Sequence, residues 1–204
     1  VEMLNSDAIS LHLNPAQEIV QFEGDRNFSG ILENIENIVK NSNVPVIVKE
    51  TGCGISKKTC EKLLNVGVKY IDISGFGGTN FIEIENLRRT DLDFTNIYGW
   101  GIPTAKCIID WRNISKDFTL IGSGGIKTGE DIAKAIILGS DMTAIAGEVL
   151  RYLVHGGYKF AEDYLKSLIY QTKMIMLLLG VRNIEELKKV EYKIFGKLKD
   201  ILNY

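Results

Sequence analysis

This 204-residue sequence has few cysteines, a small net charge and no long apolar stretch. Each of these features excludes a class of protein. The three cysteines form no Cys-x-x-Cys pair and are odd in number, which indicates a reduced, cytoplasmic compartment rather than a disulfide framework. The formal net charge is −2 and the lysines are scattered, so no nucleic-acid-binding surface is predicted. No apolar run approaches the ~18 residues of a transmembrane helix, so we expect no membrane association.

Short apolar stretches alternate with helical patterns, which is typical of βα units around a parallel sheet. We expect strands at residues 8–13, 46–49, 70–74, 119–122 and 142–146. We expect helices at 29–40, 56–66, 102–111, 130–138 and 148–153. Ser56 is the expected N-cap of the second helix, and Thr128 with Asp131 forms the expected capping box of the fourth.

The predicted fold class is α/β, a TIM (β/α)₈ barrel. Five strands are too few for a whole barrel, and the chain is shorter than the roughly 250 residues usual for one. We therefore expect that N-terminal strands are absent and that residues 1–204 form a single barrel domain, incomplete at its N-terminus. Residues 158–204 are predicted to be helical throughout and to pack on the barrel, with a core-packing stripe of Phe160, Tyr164, Leu168 and Ile169.

Two glycine-rich stretches, residues 73–79 and 121–128, follow the third and fourth predicted strands. Glycine lets backbone N–H groups close on an anion, and a following helix adds its positive N-terminal end. Barrels commonly bind phosphate in the loops after their last strands. The two stretches therefore predict a phosphorylated cofactor.

A polar cluster of His12, Asn14, Gln17 and Glu18 lies at the C-terminal end of the first predicted strand. In a barrel this is the catalytic end, where such a cluster indicates function. The carboxylate of Glu18 suits a hard cation such as Mg²⁺, with substrate phosphates completing the coordination. A plain helix-capping and turn cluster is the alternative.

Lys49 ends the second predicted strand, where an ammonium group is costly unless it meets an anion or a polarised carbonyl. The N1/C2 carbonyl edge of a flavin would suit it. Pairing with Glu50, Asp72 or another carboxylate is the alternative. Cys53 follows the same strand, and both a reactive thiol and a small packing residue are open interpretations.

Five motifs together resemble type 2 isopentenyl-diphosphate isomerase, an FMN-dependent family. They are His-Leu-Asn-Pro-Ala-Gln-Glu at 12–18, Val-Lys-Glu at 48–50, Ser-Gly-Phe-Gly-Gly-Thr at 74–79, Trp-Gly-Ile-Pro-Thr at 100–104 and Ser-Gly-Gly-Ile-Lys at 123–127. The first string is specific to that family, whereas the glycine-rich strings occur in many FMN barrels. The resemblance extends in order to about residue 157.

The resemblance implies interconversion of isopentenyl and dimethylallyl diphosphate in isoprenoid biosynthesis, with Mg²⁺ and with FMN kept reduced by NADPH. In that family the chemistry is protonation and deprotonation at allylic carbons. His12 and Asn14 would meet the substrate diphosphate. Gln17 would lie by the reacting carbons as the catalytic residue, and Glu18 would bind Mg²⁺. The residues that would hold FMN are Lys49, Ser74, Thr79, Gly125, Ile126, Lys127, Ala146 and Gly147.

The resemblance covers the C-terminal portion of that family. Its members begin with a basic segment that clamps diphosphate and a Met-Thr-Gly-Gly flavin loop, and neither is found in this sequence. We therefore predict activity for the parent protein rather than for this polypeptide alone. The resemblance also suggests a cytoplasmic homo-oligomer, a tetramer or an octamer.

Two other functions remain open. An FMN-dependent oxidoreductase of the 2-hydroxy-acid oxidase or glutamate synthase type would share the glycine-rich strand ends. Such oxidases need a general base, usually a histidine followed closely by an arginine near the penultimate strands, and neither His12 nor His155 has that position. The other alternative is a non-catalytic phosphate-binding or assembly fragment.

Overall fold

A parallel five-stranded sheet organises the computed structural model, which describes residues 1–202. The strands lie side by side in chain order, and each pairs in parallel with the next. They are β1 (Ile9–His12), β2 (Val46–Lys49), β3 (Tyr70–Asp72), β4 (Thr119–Ser123) and β5 (Met142–Ala144). All five predicted strands are therefore confirmed, and only their ends differ.

Nine helices connect and follow these strands within residues 1–202. Two short ones near the carboxyl ends of the strands, α1 and α4, were not predicted. The helices are α1 (Pro15–Val20), α2 (Ile31–Asn41), α3 (Lys57–Asn65), α4 (Phe81–Arg88), α5 (Thr104–Arg112), α6 (Gly129–Leu138), α7 (Gly147–Leu178), α8 (Ile184–Leu187) and α9 (Lys197–Leu202).

Side-chain caps begin α3 and α6 where the sequence predicts them. The Ser56 hydroxyl accepts from the Thr59 N–H at 3.2 Å. At α6, the Thr128 hydroxyl accepts from the Asp131 N–H at 3.1 Å, and the Asp131 carboxylate accepts from the Thr128 N–H at 3.0 Å. These bonds satisfy N–H groups that a helix leaves without intrahelical partners, so they fix the start of each helix beyond its strand.

The core lies between one face of the sheet and the helices. Val48, Ile71 and Leu120 are in register on β2, β3 and β4, and all three are completely buried. Trp111 of α5 belongs to the same buried cluster, and its indole N–H donates to the Ile55 carbonyl at 2.9 Å. A large apolar side chain with a satisfied polar atom suits this position, because an unpaired buried N–H would be costly.

The opposite face of the sheet carries polar side chains at the carboxyl ends of the strands. His12, Lys49 and Asp72 are in register on β1, β2 and β3, so their side chains share this face. Tyr70 and Met142 lie on the same face and are 36% and 56% exposed. Within residues 1–202 the outer strands β1 and β5 each have one neighbouring strand, so the sheet is open.

The predicted helical tail is only partly correct. Helix α7 runs through residue 157, where Gly157 interrupts it with φ of 72° and ψ of −172°, but residues 190–195 are not helical. Leu168 is buried as predicted, whereas Phe160 and Ile169 are each 57% exposed, because only one side of α7 packs on α6. The last two residues of the predicted helical tail lie outside the described residues. Within residues 1–202, no helix combines the length and apolar composition needed to cross a bilayer.

Candidate functional site

A cavity of about 590 Å³ opens at the carboxyl ends of β2 to β5. Its walls come from the loops that follow these strands and from the first turn of α7. All the residues predicted to hold the cofactor line this one cavity: Lys49, Ser74, Thr79, Gly125, Ile126, Lys127, Ala146 and Gly147.

The two glycine-rich loops touch each other in the cavity wall. A Cβ on Gly78 would lie 2.7 Å from the Gly125 nitrogen, and a Cβ on Gly125 would collide with the Gly77 carbonyl. Gly125 also has φ of +78°, which favours glycine. Among residues 1–202, no acceptor is found for the N–H groups of Gly125 and Ile126. The close approach of the loops thus leaves backbone donors available to an anion.

The first turn of α7 supplies further donors to the same cavity. Gly147 and Glu148 line it, and the N–H groups of a first helical turn have no intrahelical acceptors. The helix dipole makes this end favourable for a phosphate group. Lys127 adds a cation to the lining beside this turn, with its ammonium 3.6 Å from the Glu148 carboxylate.

Lys49 presents its ammonium group to the cavity wall. It donates to the backbone carbonyl of Glu50 at 2.9 Å, rather than to a carboxylate. Asp72, its neighbour in register, instead accepts from the Ser123 hydroxyl and from the Ser74 N–H at 3.3 Å. The geometry therefore does not favour the alternative in which a carboxylate side chain neutralises Lys49.

Ser74 has a backbone conformation that is rare for a residue with a side chain. Its φ is +32°, and its carbonyl accepts from the N–H groups of both Gly52 and Gly54, at 2.9 and 3.0 Å. Its own N–H is 3.1 Å from the Ser123 hydroxyl. Strained residues that the surroundings hold in place are concentrated at functional sites, and this one lines the cavity.

The polar cluster after β1 lies at the same end of the sheet as the cavity. His12 Nε2 is hydrogen-bonded to the hydroxyl of Thr51, which lines the cavity. Burial and the nearby Lys49 ammonium lower the pKa of His12. The imidazole is therefore largely neutral at pH 7. His12 itself is beside the cavity wall and is not one of its lining residues.

The other members of the cluster belong to α1 and its N-cap. The Asn14 amide donates to Glu18 Oε1 at 2.9 Å, and the Asp25 N–H donates to Glu18 Oε2 at 2.9 Å. Both carboxylate oxygens of Glu18 are thus engaged by the protein. Within residues 1–202 no group of three His, Cys, Asp or Glu side chains could hold a metal.

Glu85 of α4 contacts the predicted site residue Gln17, and sequence reasoning missed it. Its carboxylate accepts from the amides of Gln17 and Gln21, at 2.8 and 2.9 Å, and from Arg88 at 2.6 Å. Burial alone would raise the pKa of Glu85, but these donors outweigh it and the pKa lies below its ordinary value. Asn80, the N-cap of α4, with Glu83 three residues later was the available signal for this helix.

Glu50 is a second buried carboxylate, and the sequence analysis gave it no role of its own in the site. It is 5% exposed and accepts from the N–H groups of Thr51 and Cys53, the latter at 2.7 Å. Burial raises the pKa of Glu50 to about 7. Burial and the Glu50 carboxylate also raise the pKa of the Cys53 thiol to about 11, which favours a packing role for Cys53 over a reactive one.

Comparison with known protein families matches residues 10–193 to the family described as FMN-dependent dehydrogenase. The chain belongs to this family. Over 196 residues it is 45% identical to an isopentenyl-diphosphate delta-isomerase of Geobacillus sp. (strain WCH70) and 49% identical to one of Bacillus cytotoxicus. Each alignment covers 96% of this chain and 56% of the relative. The resemblance inferred from the motifs is confirmed, and the chain spans about half the length of these curated relatives.

Solved structures confirm the fold class. A mandelate oxidase variant with a monooxide FMN adduct superposes with a TM-score of 0.69 at 17% identity, over 95% of this chain and 57% of that one. A protein described as a lactate oxidase of Pediococcus acidilactici gives a TM-score of 0.69 at 20% identity, over 94% and 56%. Identities this low carry the fold alone. The chain therefore forms part of a TIM (β/α)₈ barrel.

Proposed function

We propose that this chain supports the FMN- and Mg²⁺-dependent interconversion of isopentenyl diphosphate and dimethylallyl diphosphate. One observation carries the proposal: the glycine-walled cavity and the polar cluster from His12 to Glu18 meet at the same end of the sheet, joined by the His12–Thr51 contact. The similarity to isopentenyl-diphosphate delta-isomerases supports the choice of substrate.

FMN fits the donors of the cavity. Its phosphate would be held by backbone N–H groups at Gly125 and Ile126 and at the start of α7, with Lys127 nearby. Lys49 would face the carbonyl edge of the flavin ring, where its ammonium stabilises negative charge. Bound and reduced, FMN would supply an acid–base group beside the allylic carbons.

The polar cluster would hold the other reactant. His12 and Asn14 would bind the substrate diphosphate, and the lowered pKa of His12 makes its imidazole a hydrogen-bonding rather than an ionic partner. Glu18 would contribute one carboxylate to Mg²⁺. Because Mg²⁺ commonly binds through one or two carboxylates together with substrate phosphates and water, it would enter with the diphosphate.

Gln17 is the proposed catalytic residue, and Glu85 would position it. The Glu85 carboxylate holds the Gln17 amide nitrogen at 2.8 Å and is itself fixed by Arg88. A side chain held from a neighbouring helix loses less freedom when substrate binds, so it stays aligned with the reacting carbons.

The remaining parts of the proposal follow the resemblance. NADPH would keep FMN reduced, the protein would be cytoplasmic, and it would assemble as a homo-tetramer or homo-octamer. The exposed apolar side chains of α7, among them Val154, Tyr158 and Leu178, support an assembly surface.

Two measurements test the function. FMN binding to this chain is followed by quenching of flavin fluorescence. Turnover is measured anaerobically on the gene product containing residues 1–204, with dithionite-reduced FMN, Mg²⁺ and isopentenyl diphosphate, and dimethylallyl diphosphate is detected by NMR. We expect saturable FMN binding and isomerisation with no net flavin oxidation. Absence of FMN binding would overturn the proposal. Stoichiometric oxidation of a 2-hydroxy acid, with no isomerisation, would instead establish the oxidoreductase.

Variants in α1 sharpen this test. Gln17→Ala removes the amide beside the reacting carbons, and Glu18→Ala removes the magnesium ligand. Each should nearly abolish isomerisation while FMN affinity stays unchanged, because neither residue lines the cofactor cavity. Rates equal to wild type in both variants would refute the assigned roles.

A further inference from the structure

The turn after β2 has an unusual hydrogen-bonding arrangement. Four consecutive N–H groups alternate between two acceptors. Those of Gly52 and Gly54 donate to the Ser74 carbonyl at 2.9 and 3.0 Å. Those of Thr51 and Cys53 donate to Oε2 of the Glu50 carboxylate, the second at 2.7 Å. The Glu50 side chain therefore supplies half of the acceptors for its own turn.

This turn is a thin wall between two cavities. Thr51 and Gly52 line the cofactor cavity of about 590 Å³. Glu50, Cys53 and Gly54 line a second, largely apolar cavity of about 820 Å³ between α1 and the loop at residues 97–102. Because parts of the turn face open space on two sides, its shape depends on these hydrogen bonds together with the close contacts of Gly52 and Gly54.

We propose that Glu50 is a positioning residue for the cofactor and acts through the Thr51–Gly54 turn. The inference rests on the proposed function, because it takes FMN as the occupant of the first cavity. The turn contacts residues at the edge of that cavity at two points. Thr51 holds His12 at the rim, and a Cβ on Gly52 would lie 2.7 Å from the Thr79 carbonyl.

The burial of this carboxylate argues for a functional role. Desolvation raises the pKa of Glu50 to about 7, so the anion is poorly stabilised where it lies. The titratable groups that interact with it are the Lys49 ammonium and the thiols of Cys53 and Cys107. Burial raises the pKa of both thiols well above neutral, so Lys49 is the charged member of this set. A buried carboxylate is weak evidence for stability, and its hydrogen bonds to the Thr51 and Cys53 N–H groups give it a positioning role instead.

Two substitutions separate the effect of the Glu50 side-chain length from the effect of its charge. Glu50→Gln keeps the length and one oxygen that can accept both N–H groups, but it loses the charge. Glu50→Asp keeps the charge, but its carboxylate falls one methylene short of the turn. Glu61→Asp on the exposed face of α3 is the matched control.

The experiment measures three properties of each variant: the FMN dissociation constant, the visible circular dichroism of the FMN-saturated protein, and urea unfolding without FMN. We expect Glu50→Asp to raise the dissociation constant about tenfold or more, since two partly buried N–H groups lose their acceptor. Its flavin spectrum should also change. Glu50→Gln should stay within about threefold of wild type with an unchanged spectrum, and Glu61→Asp should match wild type.

Other outcomes would overturn the inference. Retained affinity in Glu50→Asp with loss in Glu50→Gln would mean that charge, not position, matters. Weaker binding with an unchanged spectrum and a parallel loss of stability would mean general destabilisation. Unchanged affinity in both variants would remove Glu50 from the site. Failure of the wild-type chain to bind FMN would refute the proposed function itself, which is a distinguishable result.

Discussion

Substitution of Gly125 tests whether the contact between the glycine loops shapes the cofactor cavity. Its φ of +78° lies in the left-handed region, and an added Cβ would collide with the Gly77 carbonyl oxygen and lie 2.7 Å from the carbonyl carbon. Gly125→Ala therefore combines a backbone penalty of roughly 1–2 kcal/mol with a steric overlap. Overpacking typically costs about 1–3 kcal/mol, so the expected loss in the free energy of unfolding is about 2–5 kcal/mol.

Gly30 provides a matched control for this substitution. Its φ is +75°, and no atom lies within 4 Å of an added Cβ. Gly30→Ala should therefore carry the backbone penalty alone, roughly 1–2 kcal/mol. Urea unfolding followed by circular dichroism measures the stability of both variants without FMN, and fluorescence titration measures their FMN affinity. We expect Gly125→Ala to lose FMN affinity about tenfold or more and Gly30→Ala to retain it.

Two results would contradict this reasoning. Equal losses of stability in the two variants would show that the contact between Gly77 and Gly125 adds nothing to the backbone conformation. Wild-type FMN affinity in a destabilised Gly125→Ala variant would remove this turn from the cofactor site.

One further substitution tests the core, and one labelling reaction tests the Cys53 thiol. Trp111→Phe removes the indole N–H that donates to the Ile55 carbonyl at 2.9 Å, so we expect a loss of about 1–3 kcal/mol in urea unfolding. A change below about 0.5 kcal/mol would contradict the buried hydrogen bond. Because the pKa of Cys53 is raised to about 11, the thiolate fraction grows with pH up to that value. Iodoacetamide labelling of Cys53, followed by mass spectrometry, should be slow at pH 8 and faster at pH 10, and fast labelling at pH 8 would contradict burial of the thiol.

The strands were predictable because each is a short, largely apolar stretch that alternates with a helical pattern. The stretch from Val46 to Lys49 shows this clearly, since its predicted and observed bounds agree. The glycine loops were predictable for a related reason: glycine marks positions where the backbone must come close to other atoms or adopt positive φ. Both signals are local in the sequence.

The missed features depend on contacts between distant residues. Helices α1 and α4 are short, and α4 is weakly amphipathic, so their apolar spacing gives little signal. Asn14 followed by Pro15 was an available sign of a helix start, because proline is favoured in the first turn. The contact between Gln17 and Glu85 joins residues 68 positions apart, and it can be recognised only once the two helices pack together.

The pKa values of the two buried carboxylates, Glu50 and Glu85, are shifted in opposite directions. The lowered pKa of Glu85 constrains the orientation of the Gln17 amide. Glu50 lacks a strong cationic donor and its pKa is raised, whereas amide and guanidinium donors lower that of Glu85. Glu85 is therefore ionised at pH 7 and can only accept hydrogen bonds. It follows that Gln17 must direct its NH₂ group toward Glu85, which leaves its carbonyl oxygen available on the other side. If Gln17 acts on the substrate as proposed, it does so as a hydrogen-bond acceptor. A Glu85→Gln variant removes the charge that fixes this orientation, so we expect it to impair turnover more than FMN binding.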